Sequence, residues 1–75
     1  MLEELQKIFS EVLEINPTLV TEGSTIENLD GWDSMKHLEI VIAIENKYSI
    51  NFEPHEVILL NSIERIMTAI KQKRK

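Results

Sequence analysis

Asp33, Ser34 and His37 lie within five residues of one another, a carboxylate, a hydroxyl and an imidazole. Those are the residue types of nucleophilic catalysis, in which a base activates the hydroxyl and a third group holds the base. Their spacing does not serve that chemistry. On a helix opening at Ser34, His37 falls on the core side of the wheel rather than beneath the hydroxyl. No glycine-rich nucleophile elbow surrounds Ser34 either. His55 is the one other histidine, and both are expected to be ordinary, partly exposed side chains. The carboxylates are scattered along helices without a metal-binding constellation. No catalytic residue and no metal site is therefore assigned. Ser34 can still act as a point of covalent attachment. A phosphate ester there would sit at a helix N-terminus, where free N–H groups and the helix dipole favour negative charge. Its simpler role is capping, since either Asp33 or Ser34 can supply the cap oxygen.

The elements that must hold this junction follow from hydrophobic spacing. Leu2, Leu5, Ile8, Phe9, Val12 and Leu13 recur every three or four residues and predict a first helix over about 2–15. Pro17 disfavours helical geometry at Asn16 and should end it there. Residues 16–33 are rich in turn formers and read as a long connection, pinned by Leu19, Val20, Ile26 and Leu29, with a helical turn possible near Thr25–Leu29. The second helix is expected over 34–47. Tyr48 to Phe52 then reads as an extended connector with Ile50 and Phe52 inward. Pro54 suits the first position of a short third helix over 54–59. Asn61-Ser62-Ile63-Glu64 resembles a capping box, with Asn61 as cap, for a fourth helix over 62–73. The expected fold class is all-α: one domain over 1–75, a four-helix bundle with a short third helix and a long loop between helices 1 and 2.

Helix 2 carries two apolar sets. Ile40, Val41, Ile44 and Tyr48 share one arc and should face the core. Met35, Leu38 and Ile42 cluster on nearly the opposite side, in a ridge that starts at Ser34. A helix in so small a bundle rarely has core on both sides. This second ridge should therefore be exposed and available to a partner.

Charge narrows the partners. The 75 residues contain 13 acidic and 8 basic side chains, for a net charge of −5. Lys71, Lys73, Arg74 and Lys75 hold half of the positive charge, so the rest of the chain is strongly acidic. Such a surface repels phosphate backbones, which argues against nucleic acid, and suits proteins with basic docking patches. The longest apolar run is Ile40–Ile44, far short of a bilayer span, so no membrane insertion is expected. Cysteine is absent, which is compatible with a cytoplasmic location. The acidic start Met1-Leu2-Glu3-Glu4 is unlike a signal peptide.

Asp33-Ser34-Met35, preceded by Gly31-Trp32 and followed by Leu38, Glu39, Val41, Ile44 and Glu45, resembles the acyl and peptidyl carrier protein family, the thiolation domains. That family's signature is an Asp-Ser-Leu-like tripeptide opening the second helix of a small acidic bundle, and Asn61-Ser62-Ile63 looks like the start of its last helix. The resemblance implies that a phosphopantetheinyl transferase (holo-carrier synthase) moves 4'-phosphopantetheine from coenzyme A onto Ser34, next to the motif residue Asp33. It implies that acyl or aminoacyl cargo then rides the arm as a thioester. Loading ligases or transferases and downstream synthase enzymes would be the partners of a monomeric carrier. Met35, Lys36, Leu38, Glu39 and Ile42 match the family's docking positions. Lys36 and His37 depart from carriers of primary fatty-acid synthesis, which tend to be acidic just after the motif. So do Leu29-Asp30-Gly31-Trp32 and the basic tail. These departures point to a specialised pathway, polyketide, nonribosomal peptide or related, and to Lys36 and His37 as residues of partner choice. The alternative is an unmodified helical interaction module that binds through the Met35-Leu38-Ile42 ridge.

Overall fold

A computed structural model describes residues 1–74; Lys75 of the basic tail lies outside the described residues. Four helices follow one another: α1 (Leu2–Leu13), α2 (Ser34–Tyr48), α3 (Pro54–Leu59) and α4 (Ile63–Lys73). No strand is present among the described residues, and the architecture is the expected all-α four-helix bundle. Leu5 and Phe9 of α1, Ile40 and Ile44 of α2, and Ile63, Ile66 and Ile70 of α4 are fully buried and form the centre of the core. Burying apolar surface in this way is the main force closing the bundle.

Helix ends are set locally. α1 stops two residues short of the expected position. Glu14 adopts the left-handed conformation at φ 57°, and the Glu14 and Ile15 N–H groups both turn back to the Ser10 carbonyl. That left-handed closure ends the helix before Pro17 can act. Ser49 closes α2 in the same manner at φ 54°, one residue later than expected, and Tyr48 remains helical. The cap of α4 is Ser62, not Asn61. Ser62 Oγ accepts the Arg65 N–H at 3.1 Å, which leaves Glu64 one position too early to complete a capping box. The reciprocal box lies instead at α3, between Glu53 and Glu56.

The long loop is a structured part of the bundle. A single 3-10 turn occupies Pro17–Leu19, capped by the Asn16 side chain on the Thr18 N–H. Val20 and Leu29 are buried, whereas Leu19, expected to pin the loop, is 59 % exposed. The Asn28 and Leu29 N–H groups both reach the Thr25 carbonyl, forming one turn there. Two backbone bonds of 3.0 Å, Ile26 N–H to Asn61 and Ile63 N–H to Ser24, then tie the loop to the start of α4. Gly31, at φ 89°, occupies a conformation open to glycine and ends the loop just before Trp32.

Polar contacts hold the ends. Tyr48 donates to the Glu4 carboxylate at 2.6 Å, joining α2 to the start of α1. Burial, and then this bond to an anion, push the phenol well above its usual pKa. Lys73 of α4 meets Glu56 of α3 at 2.7 Å. The Lys73 bond, reinforced by the Glu53 N–H, holds the Glu56 carboxyl below its usual range, and the Tyr48 bond does the same for Glu4. A carboxyl with a depressed native pKa contributes stability above its unfolded pKa and loses it as pH falls through the native value. Urea midpoints should therefore show Glu56→Gln less stable than the parent at pH 7, with the gap closing below about pH 4.5.

Candidate functional site

Asp33, not Ser34, caps α2. Its carboxylate accepts the Lys36 N–H at 2.8 Å, and its carbonyl begins the helix by accepting the His37 N–H. This assignment decides what Ser34 can do. As the first helical residue, Ser34 is released from capping. It is exposed, and its hydroxyl bonds no other side chain or backbone group among the described residues. The Ser34 and Met35 N–H groups lie in the first turn, where no helical acceptor exists for them. An exposed hydroxyl beside two such donors fits a phosphate ester.

His37 cannot activate that hydroxyl. It is only 8 % exposed, which overturns the expectation of a partly exposed side chain and of a residue that partners could read directly. Trp32 Nε1–H donates to His37 Nδ1 at 3.0 Å, and His37 Nε2 meets the Val57 carbonyl at 2.8 Å. Because Nδ1 accepts and a carbonyl cannot donate, the ring is the neutral Nε2–H form. Both nitrogens are thus committed, and none remains for Ser34. Trp32 is itself 3 % exposed and packs edge-on against Phe9 at 4.8 Å. Sequence reading missed this chain of contacts. Its signal was a histidine on the core face of a helix, since a buried imidazole needs partners for both nitrogens.

The two faces of α2 separate as expected. Ile40, Val41 and Ile44 are buried and Tyr48 is half-buried, whereas Met35 is 77 % exposed and Leu38 and Ile42 nearly 60 %. Lys36 and Glu39, on the flank of the ridge, form a loose ion pair at 3.7 Å. Beyond the ridge, a shallow groove of about 460 Å³ runs between α2 and α3, lined by Leu38, Ile42, Phe52, Val57 and Ile58. Among the described residues no group of histidine and carboxylate side chains could hold a metal ion. No helix there is long and apolar enough to cross a membrane.

Residues 3–70 match the family described as the phosphopantetheine attachment site. An acyl carrier protein from Cylindrotheca sp. (strain N1) is 31 % identical over 74 residues, covering 99 % of this chain and 92 % of that protein. One from Guillardia theta is 30 % identical over 71 residues, covering 95 % and 88 %. Among solved structures, the holo acyl carrier protein from Geobacter metallireducens superposes with a TM-score of 0.83 at 25 % identity, over 96 % of this chain and 83 % of that one. The family match begins in the first turn of α1 and ends at Ile70, the last buried side chain of α4, so it takes in the whole bundle. This chain accordingly belongs to the phosphopantetheine-binding acyl carrier family, whose members hold phosphopantetheine covalently and act as carriers, not enzymes.

Proposed function

We propose that Ser34 bears the phosphopantetheine arm. The observation that carries this reading is the division of labour at the start of α2: Asp33 does the capping, and the next residue offers an exposed, unbonded hydroxyl at the helix N-terminus. When bound, the group supplies a thiol that holds acyl or aminoacyl cargo as a thioester. The protein's own part is to present that attachment point and to be gripped. Tethering keeps cargo at high effective concentration beside a docked enzyme.

Docking falls to Met35, Leu38 and Ile42, with Lys36 and Glu39 as the polar flank. Three exposed apolar side chains in one helical ridge suit a partner with an apolar groove. Leu38 stands one turn beyond Ser34 on the same side of α2, and it also lines the α2–α3 groove, which can shield an aliphatic chain from water. The partners are a phosphopantetheinyl transferase, a loading ligase or transferase, and downstream synthase enzymes. Lys36, a cation in the first turn beside the attachment point, supports a specialised pathway rather than primary fatty-acid synthesis. The carrier is read as a monomer working in the cytoplasm, a location with which the absence of cysteine is compatible.

The test is direct. The chain is incubated with coenzyme A and a promiscuous phosphopantetheinyl transferase, and its intact mass is followed by fragmentation. The expected result is a single mass gain of one arm, located on the peptide containing Ser34. No gain, or a gain located elsewhere, overturns the assignment.

A further inference from the structure

Helix α3 is six residues long and buries none of its side chains; Ile58 is 76 % exposed and Leu59 54 %. A helix that short is unstable in isolation. The buried Leu60 at its C-cap and the half-buried Val57 tie it to the core, and polar pins fix its position further. Lys73 holds Glu56 from α4, and the Glu45 carboxylate accepts the Phe52 N–H at 2.8 Å just before α3 begins. The third pin is His37, whose Nε2–H donates to the Val57 carbonyl. Of the three, His37 alone also reaches the Ser34 loop, through the Trp32 indole two residues before Ser34.

We infer that His37 is a positioning residue that makes the Ser34 loop and α3 move as one unit. Trp32 packs edge-on against Phe9, and the next residue along the chain, Asp33, is the cap of α2, so a shift of the indole is passed directly to that cap. A pull on the loop must shift the indole or break its bond to Nδ1. Either event frees the imidazole ring, and the ring is what holds the Val57 carbonyl. Because Val57 and Ile58 form one wall of the α2–α3 groove, an enzyme that grips the loop loosens that wall at a distance. The coupling uses only groups of this protein, so it stands or falls independently of whether Ser34 carries the arm.

Hydrogen exchange on the unmodified chain tests it. In the parent, the Trp32 indole N–H and the Val57 and Leu60 amides should open with the same free energy, distinct from the α1 amides of Leu5 and Phe9. Trp32→Phe, which keeps an aromatic ring and removes the donor, should speed exchange at Val57 and Leu60 by roughly three- to tenfold while leaving α1 unchanged, the scale of one lost hydrogen bond. Ile66→Val, a core change away from the clamp, provides the reference for general loosening. Two variants of the histidine split the clamp. His37→Gln can keep a donor near the Nε2 position, so it should preserve α3 protection and expose the indole. His37→Asn can keep an acceptor near Nδ1 and should do the reverse. If α3 exchange in Trp32→Phe merely follows α1, or if the Asn and Gln variants show the same pattern, the inference is overturned. Should the variants fail to fold, the parent comparison decides alone: unequal opening free energies for the indole and the α3 amides overturn it as well.

Discussion

Ser34→Ala will abolish loading from coenzyme A and leave the fold as stable as before. Both halves follow from the start of α2. Alanine has no hydroxyl, so no phosphate ester can form there, and the mass gain should vanish completely. Stability should hold because the hydroxyl is exposed and makes no internal bond, and Asp33 rather than Ser34 satisfies the Lys36 N–H. Alanine is also a good helix former at such a position, so the change should lie within about 0.5 kcal/mol. The neighbouring Asp33→Ala is the informative contrast. It removes the cap oxygen and should cost about 0.5–2 kcal/mol in urea unfolding. A Ser34→Ala protein that melted like Asp33→Ala would mean that the serine, not the aspartate, caps α2. A residual mass gain in Ser34→Ala would place the arm elsewhere.

Two residues only two positions apart on α2 should differ far more in stability. Ile44 is fully buried in the core, whereas Ile42 is 57 % exposed on the opposite face. Truncating a buried isoleucine removes its transfer free energy and leaves a cavity that the bundle can only partly fill. Ile44→Ala should therefore cost about 2–5 kcal/mol. That is a large share of what a domain of this size has available. Ile42→Ala removes contacts mainly with solvent and should cost less than about 1 kcal/mol. Its effect belongs to recognition: loading of Ile42→Ala by the transferase should show a raised KM with kcat little changed, as expected when uniform docking energy is lost. Equal destabilisation by the two substitutions would refute the division of α2 into a core face and a docking face. Denaturant titrations monitored through the single Trp32 give the first comparison, and steady-state loading gives the second.

The two-faced nature of α2 was legible in the chain because helical periodicity is a local property. The 100° step between residues sorts Ile40, Val41 and Ile44 from Met35, Leu38 and Ile42 with no knowledge of the fold. Helix order was legible for the same reason, as was the short α3 announced by Pro54. Asp33-Ser34-Met35 suggested the proposed attachment point through its likeness to the family's tripeptide at a helix start, a signal carried by three consecutive residues.

What escaped the sequence depends on contacts between residues far apart in it. The left-handed closures at Glu14 and Ser49 occur at residues without the usual glycine signal. Asn61 yielded the cap of α4 to Ser62 once its own carbonyl was taken by Ile26 across 35 positions. His37 illustrates the point most fully. Periodicity put it on the inner face, but not what lay there to receive it. Only the folded chain brings the Trp32 indole to one nitrogen and the Val57 carbonyl, 20 residues away, to the other. A buried imidazole must satisfy both nitrogens, and that tertiary requirement turns a histidine read as ordinary and partly exposed into the clamp between the Ser34 loop and α3.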